Sequence, residues 1–455
     1  MVNRLTTLDA SFYFLEASNT PMHLGSLSIL QPPRSGLDYE DLLTRVENRL
    51  ALVPRYRQRV REVAFGLARP VWVDDRDFDI TYHVRRSALP KPGSDEQLHD
   101  LVARLTSRPL DRSRPLWEMY LVEGLSKNRV AIFTKSHSSL VDGEHALEIG
   151  QVLLDPTKTP PPPIEELWMP RREPREAELV LDAVAEMVAR PSEGAATLRM
   201  AVGDLIGTAA EVAGNIAAVV RTAAHTAPTS PLNAPISRNR RFAVAKTSLA
   251  DYRAVRDKYS CTVNDAILAV LTGALRNWLL SRGEPVTAFT TVRALVPMAV
   301  DSGVAERGVS SFLVDLPVGE LNPVVRLSHI AHATEAHTKQ NRSAALPLAR
   351  MSGLAPATLH AMGLRVASGL SQRVFNLMIT NAPGPQSPLY LGGAKVLEMY
   401  PVSPLLKNQT LSVGLTSYNG HVYYGLNADR DAMSDVDVVT ALLYESLEEL
   451  LDATT

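Results

Sequence analysis

The sequence predicts an α/β protein of the layered α+β kind, built in two parts around a Pro-rich break. Strand-like and helix-like segments alternate over the first 155 residues, four consecutive prolines end at Pro163, and mixed alternation resumes near residue 236. Such order belongs to domains in which helices cover a sheet. At 455 residues the chain is long enough for two domains with sizeable cores. The breaks divide it into 1–155, a linking segment 156–235, and 236–455.

In the first part Met22–Leu30, Val71–Val73, Ile80–Val84, Trp117–Val122 and Arg129–Lys135 read as strands. Tyr39–Ala51 and Gln97–Thr106 carry helical spacing, as does Glu144–Leu154. The prolines cannot continue a helix and favour an extended spacer. After a charged run, Pro170–Glu178, apolar residues recur at helical spacing from Leu179 to Ala224, interrupted at Arg190–Gly194. Two helices docked on the body are expected there, with a membrane-surface face as the alternative. Few aromatics and few lysines argue against that alternative. The second half opens with a basic strand, Arg238–Ala245. Strands follow at Ala288–Val300, Ser311–Leu316, Ala394–Tyr400, Leu411–Tyr418 and Val422–Ala428. Helices are expected at Val263–Leu280, opened by Asn264 or Asp265, then at Val324–Gln340 and Asp435–Leu451.

Composition excludes several classes. Hydrophobic residues make up 45% and charged residues 21%, as in an ordinary globular chain. A net charge of −2 without large single-sign blocks argues against a nucleic-acid partner. The one cysteine, Cys261, precludes an internal disulfide and fits a reducing cytoplasm. No basic-then-apolar leader opens the chain. No apolar run is long enough to span a bilayer, since Leu198–Val220 is broken by Arg199, Asp204 and Glu211. Any association with a membrane or lipid droplet would be peripheral. His329, His332 and His337 share one predicted helix, but no carboxylate or cysteine completes a metal set, and no metal is expected.

The most informative segment is Lys135-Ser-His-Ser-Ser-Leu-Val-Asp-Gly143. It lies between a buried strand and a helix, where Gly143 can take a backbone angle that other residues resist. Acyl transfer to an alcohol needs a group to remove the hydroxyl proton, and histidine suits that role near neutral pH.

This segment resembles the His-His-x-x-x-Asp-Gly motif of the bacterial wax ester synthase/diacylglycerol acyltransferase family, within the CoA-dependent acyltransferase superfamily. Further blocks follow in the family's order: Leu8–Phe12 with Thr20-Pro-Met-His23, Asp111–Glu118, Pro231–Ser237, Val263-Asn-Asp265, Thr380–Pro385 and Tyr400–Pro404. The resemblance implies two chloramphenicol-acetyltransferase-like domains with a tunnel between them. It implies transfer of an acyl group from acyl-CoA, a co-substrate, to diacylglycerol or a long-chain fatty alcohol, with no bound cofactor. The product would be triacylglycerol or wax ester.

The departure from the motif is specific. His137 matches its first histidine, but the second, taken in the family as general base, is Ser138 here. Adjacent residues of an extended chain point to opposite faces, so His137 is expected to face away from the tunnel. A serine hydroxyl is no base at neutral pH, and losing a general base typically costs about 10²–10⁴ in rate. Ser138 as an acyl-carrying nucleophile would need an oriented base within reach. The chain is therefore expected to be an acyltransferase, weak for want of its base, with a catalytically impaired lipid- or acyl-CoA-binding homologue as the alternative. A second departure is Arg307, at a position where asparagine is frequent in the family.

Other candidates carry two readings each. Asp142 either caps the following helix or, as the resemblance implies, pairs with a buried arginine, for which Arg293 is the best match. Asn264 and Asp265 either cap a helix or lie near the acyl-CoA site. Trp117 either packs beside the motif strand or lines the tunnel. Asn381, Pro383 and Gly384 belong to a turn-rich segment read as a rigid loop, which the family places against the tunnel. His145 is read as an exposed helix residue.

Overall fold

The computed structural model describes residues 3–5, 9–10, 13–14, 16–64, 68–141, 149–159, 161–162, 168–189, 227–300, 308–340 and 374–454. Asp142, Gly143, His145, Arg307 and the expected second helix before Ala224 lie outside the described residues.

The strands are β1 Asn3–Arg4, β2 His23–Gln31, β3 Gln58–Arg61, β4 Val71–Asp74, β5 Val84–Ala88, β6 Trp117–Leu125, β7 Arg129–His137 and β8 Arg240–Ser248. They continue with β9 Val292–Val300, β10 Gly308–Leu316, β11 Leu377–Pro383, β12 Tyr390–Leu391, β13 Ala394–Val402, β14 Leu411–Tyr418 and β15 His421–Asp429. The described helices are α1 Tyr39–Arg49, α2 Ile80–His83, α3 Asp95–Ser107, α4 Ser138–Val141 and α5 Ile149–Val152. The remainder are α6 Glu176–Ala189, α7 Leu249–Tyr259, α8 Val263–Ser281, α9 Pro323–Gln340 and α10 Val436–Asp452.

Two six-stranded mixed sheets, each with its own core, carry the fold. The first runs β12-β13-β2-β7-β6-β5 and the second β10-β9-β11-β14-β15-β8. β7 lies centrally in the first sheet, and every residue from Ala131 to His137 is buried. A strand covered on both faces has no solvent side to alternate toward, which is why Val-Ala-Ile-Phe-Thr reads as a near-continuous apolar run. Helix α3 is set by a capping box in which Ser94 and Gln97 satisfy each other's backbone N–H groups. The β14–β15 hairpin turns at Asn419-Gly420, both with positive φ (46° and 81°), the conformation a two-residue turn demands. A small sheet, β1-β4-β3, carries α6 on Val63, Val71 and Val73 through Leu179 and Ala183. The first of the expected linker helices is thus docked on the body.

The two halves are interlocked. Strands β12 and β13 come from the second half but complete the first sheet, with Tyr400 opposite Leu27 and Val402 opposite Gly25 on β2. The chain then returns to the second sheet, where Ser403 meets Thr380 of β11 at 2.7 Å. This passage needs missing side chains. A Cβ at Gly425 would sit 1.8 Å from the carbonyl oxygen of Pro401, and one at Gly414 3.0 Å from its Cβ. The first core accordingly takes in Phe242, Tyr418 and Tyr423 from the second half.

Several expectations are corrected. Ile80–Val84 is not a strand: Asp79 caps a single turn at Ile80–His83, and the strand starts at Val84. Helix α7 was not anticipated, because its buried side is only Leu249, Tyr252 and Val255 among charged residues. Asn381 to Pro383 end strand β11, parallel to β14, and do not form a loop. Helix α8 is opened by Thr262, with Asp265 at the third helical position. No helix of the described residues is long and apolar enough to cross a membrane.

Candidate active site

The motif strand ends on His137, and α4 starts at Ser138, so the expected strand-to-helix junction is present. His137 faces His23, the first residue of β2, across the ladder; their rings lie 6.1 Å apart at 67°. Both side chains are buried. Between them and the preceding segment sits the carboxylate of Glu16. Its Oε1 is 2.9 Å from Nε2 of His23, in a contact bent away from good hydrogen-bond geometry, and its Oε2 is 3.9 Å from Nε2 of His137.

Arg112 closes the group. Its guanidinium donates to Oε2 of Glu16 at 3.0 and 3.2 Å and to the Tyr13 carbonyl at 2.8 Å, and it lies over the Tyr13 ring. Burial alone would raise the Glu16 pKa, but contact with His23 and the charges of His23, His137 and Arg112 outweigh it and bring it down to about 2. His137 is pushed down to about 3, chiefly by burial, with Glu16 only partly opposing. Arg112 therefore faces an ionised carboxylate flanked by neutral imidazoles at neutral pH.

The tautomer of His137 follows from its neighbours. The Ser139 backbone N–H donates to Nδ1 at 3.1 Å, and the Ser139 hydroxyl lies 2.7 Å from the same nitrogen. Nδ1 is an acceptor, so the ring proton sits on Nε2, which lies 3.9 Å from Oε2 of Glu16. Ser138 is also committed: its backbone N–H and its hydroxyl both donate to the Met22 carbonyl, at 2.8 and 2.9 Å. A backbone carbonyl is no base, so the Ser138 hydroxyl has nowhere to pass its own proton and cannot take one from an acceptor. The polar groups of Ser138 named here are thus satisfied by backbone alone.

The remaining candidates fall into separate places. Paired residues in a ladder share a face, so Trp117, opposite Ser136, projects from the other side of the sheet than His137. Trp117 stacks on His83, with ring centroids 4.6 Å apart, and donates to the Tyr56 carbonyl at 2.8 Å. Asn264 and Asn381 do meet, at 2.8 Å. Asp265 completes the α8 capping box with Thr262 and accepts from Thr334 at 2.7 Å. Pro383 stands opposite Ser417, and the Gly384 N–H donates to the Ser417 carbonyl at 2.9 Å. A Cβ at Gly384 would lie 2.6 Å from that oxygen. Arg293, on β9, is bound by Asp315 through contacts of 2.6 and 3.0 Å. The described residues include no group of three His, Cys, Asp or Glu side chains that could hold a metal.

Sequence reasoning gave no role to Glu16, His23, Arg112 or Ser139. His23 and Arg112 stood in quoted blocks, which was a usable signal; Glu16 carried none.

A two-domain α/β scaffold in which β12 and β13 of the second half complete the first sheet, with His137 and Ser138 at the strand-to-helix junction, is the architecture that the sequence resemblance implies. Comparison with known proteins specifies it. The family model of the wax ester synthase/diacylglycerol acyltransferase catalytic domain matches residues 5–267, and that of the family's C-terminal domain matches 308–451. The chain belongs to the wax ester synthase/diacylglycerol acyltransferase family, and is an acyltransferase of that kind. It is 58% identical over 265 residues to a probable diacylglycerol O-acyltransferase (tgs3) of Mycobacterium tuberculosis, covering 57% of this chain and 98% of that one. It is 36% identical to a second from that organism (tgs1), over 99% of this chain and 96% of that one. The solved wax ester synthase/diacylglycerol acyltransferase of Marinobacter aquaeolei VT8 superposes with a TM-score of 0.72 at 29% identity, covering 99% of both chains.

Proposed function

We propose that this protein transfers an acyl group from acyl-CoA to diacylglycerol, or to a long-chain alcohol, and does so slowly. The observation that carries this reading is the end-to-end match to the family, with both domain models in order on one chain. In the transfer the acceptor oxygen attacks the thioester carbonyl, the C–S bond breaks, and coenzyme A leaves. No covalent enzyme intermediate is required. The acceptor proton must go to a base, and Ser138 supplies none while its hydroxyl donates to Met22. Turnover then rests on holding the two substrates together and on stabilising the developing oxyanion.

Asn264 and Asn381 are proposed to lie near the acyl-CoA site, Trp117 to support the motif strand from behind, and Asp142 with Gly143 to shape the turn. Because the proposed acceptor is a lipid, the protein is proposed to work in the cytoplasm, bound peripherally at a membrane or lipid-droplet surface. The alternative, an impaired homologue that only binds lipid or acyl-CoA, is favoured by one observation: position 138 is fully satisfied without a substrate.

Purified protein given labelled palmitoyl-CoA, with dioleoylglycerol and hexadecanol in separate reactions, tests the reading. Labelled triacylglycerol or wax ester above the protein-free rate supports it. No ester from either acceptor, in the parent and in Ser138→His alike, contradicts it.

A further inference from the structure

Ser139, His137 and Glu16 stand in an order that the motif does not explain. The Ser139 hydroxyl is 2.7 Å from Nδ1 of His137, and the opposite ring nitrogen is 3.9 Å from Oε2 of Glu16. A hydroxyl on one imidazole nitrogen and a carboxylate facing the other is the arrangement that activates an oxygen by proton removal. The carboxylate is itself fixed, by Arg112 on one oxygen and by the Met22 N–H at 3.3 Å and His23 on the other. Nε2 of His137 has no hydrogen-bond partner among the described residues, and the Glu16 carboxylate lies 3.9 Å from it.

We propose that Ser139 and His137, positioned by Glu16, form a proton relay that does part of the work lost at position 138. The proposal rests on the acyl-transfer reading above. As the acceptor oxygen bonds to the acyl carbon, its proton passes to the Ser139 oxygen while the Ser139 proton passes to Nδ1 of His137. The C–S bond breaks, and the thiolate of coenzyme A leaves with its electron pair. The imidazolium returns its proton through Ser139 to that thiolate, so the enzyme ends unchanged. Ser139 is the catalytic residue; His137 acts through it, and Glu16 is a positioning residue that stabilises the transient imidazolium. This adds to the expectation that His137 faces away from the tunnel: alternation turns its side chain away from position 138, but α4 folds the Ser139 hydroxyl back onto it.

Depressed basicity limits such a relay. Burial holds His137 well below the usual histidine range, so the relay is a weaker base than an ordinary imidazole, which fits slow turnover.

The test is a cycle of Ser139→Ala and Ser138→His, read as kcat and KM for palmitoyl-CoA, with Glu16→Gln as a third arm. Ser139→Ala removes one hydroxyl and leaves the backbone N–H on Nδ1, so folding is not at risk. In the parent, Ser139→Ala and Glu16→Gln should each lower kcat by about tenfold or more with KM unchanged. In the Ser138→His background, where a base is restored, the loss from Ser139→Ala should be several times smaller. A merely structural role would cost the same in both backgrounds, and that outcome overturns the relay. So does an unchanged kcat in the parent, an acyl group trapped on Ser139, or a parent without turnover beside an active Ser138→His enzyme. Those results leave the acyltransferase reading standing; only silence of both parent and Ser138→His removes it as well.

Discussion

Asn381 donates a 2.8 Å hydrogen bond from its side-chain nitrogen to the side-chain oxygen of Asn264, joining the end of β11 to the first turn of α8. The two asparagines come from blocks more than a hundred residues apart. Asn381→Ala should lower stability by about 0.5–1.5 kcal/mol, the usual net worth of one such bond. If the pair also borders the acyl-CoA site, KM for palmitoyl-CoA should rise in the same variant. Thermal denaturation and steady-state kinetics check the two parts, and a variant that matches the parent in both would dismiss the pair as incidental.

The entry of β13 into the first sheet gives a sharper steric test. Gly425 has no room for a side chain, because a Cβ there would lie 1.8 Å from the Pro401 carbonyl oxygen. Gly425→Ala should displace the Tyr400–Pro404 passage and cost about 3 kcal/mol or more. Gly420→Ala, on a turn with open space around it, is a less damaging control despite its positive φ. Chemical denaturation of both variants decides, and equal stability would refute the close approach.

His83 makes the stability pH-dependent. Burial brings its pKa from 6.5 down to about 4. The unfolded chain takes up a proton below 6.5 while the folded one resists until about 4. Stability is therefore complete above 6.5 and is lost as pH falls toward 4. By linkage this amounts to something on the order of 2 kcal/mol at pH 5. Melting temperatures at pH 7 and pH 5 should differ less in His83→Asn than in the parent. An equal drop in both would assign the acid sensitivity elsewhere.

Much of the scaffold was legible, and the reason is local. β14, with Leu411–Tyr418 read to the residue, α8 and α10 carry their own periodicity, and α8 carries its own capping box. α2 was misread because Ile80-Thr-Tyr-His looks β-prone, whereas the Asp79 side chain, accepting from the Thr81 N–H at 2.9 Å, decides for a turn. The entry of β13 into the first sheet left no local trace, since partnership with β2 across about 370 residues is a property of the fold. The site divides the same way. The serine at position 138 could be counted from Asp142, and its consequence followed from chemistry. Glu16 could not be found, because its partners Met22, His23, Arg112 and His137 gather only when β2 and β7 pair.

Position 138 is where the base is missing, and one rate tests that. Ser138→His should place an imidazole where the Ser138 hydroxyl now donates to the Met22 carbonyl. With labelled palmitoyl-CoA and the better of the two acceptors, ester formation should rise by about 10² or more over the parent at neutral pH. A folded Ser138→His protein that turns over no faster than the parent would contradict the claim that a missing base limits this acyltransferase.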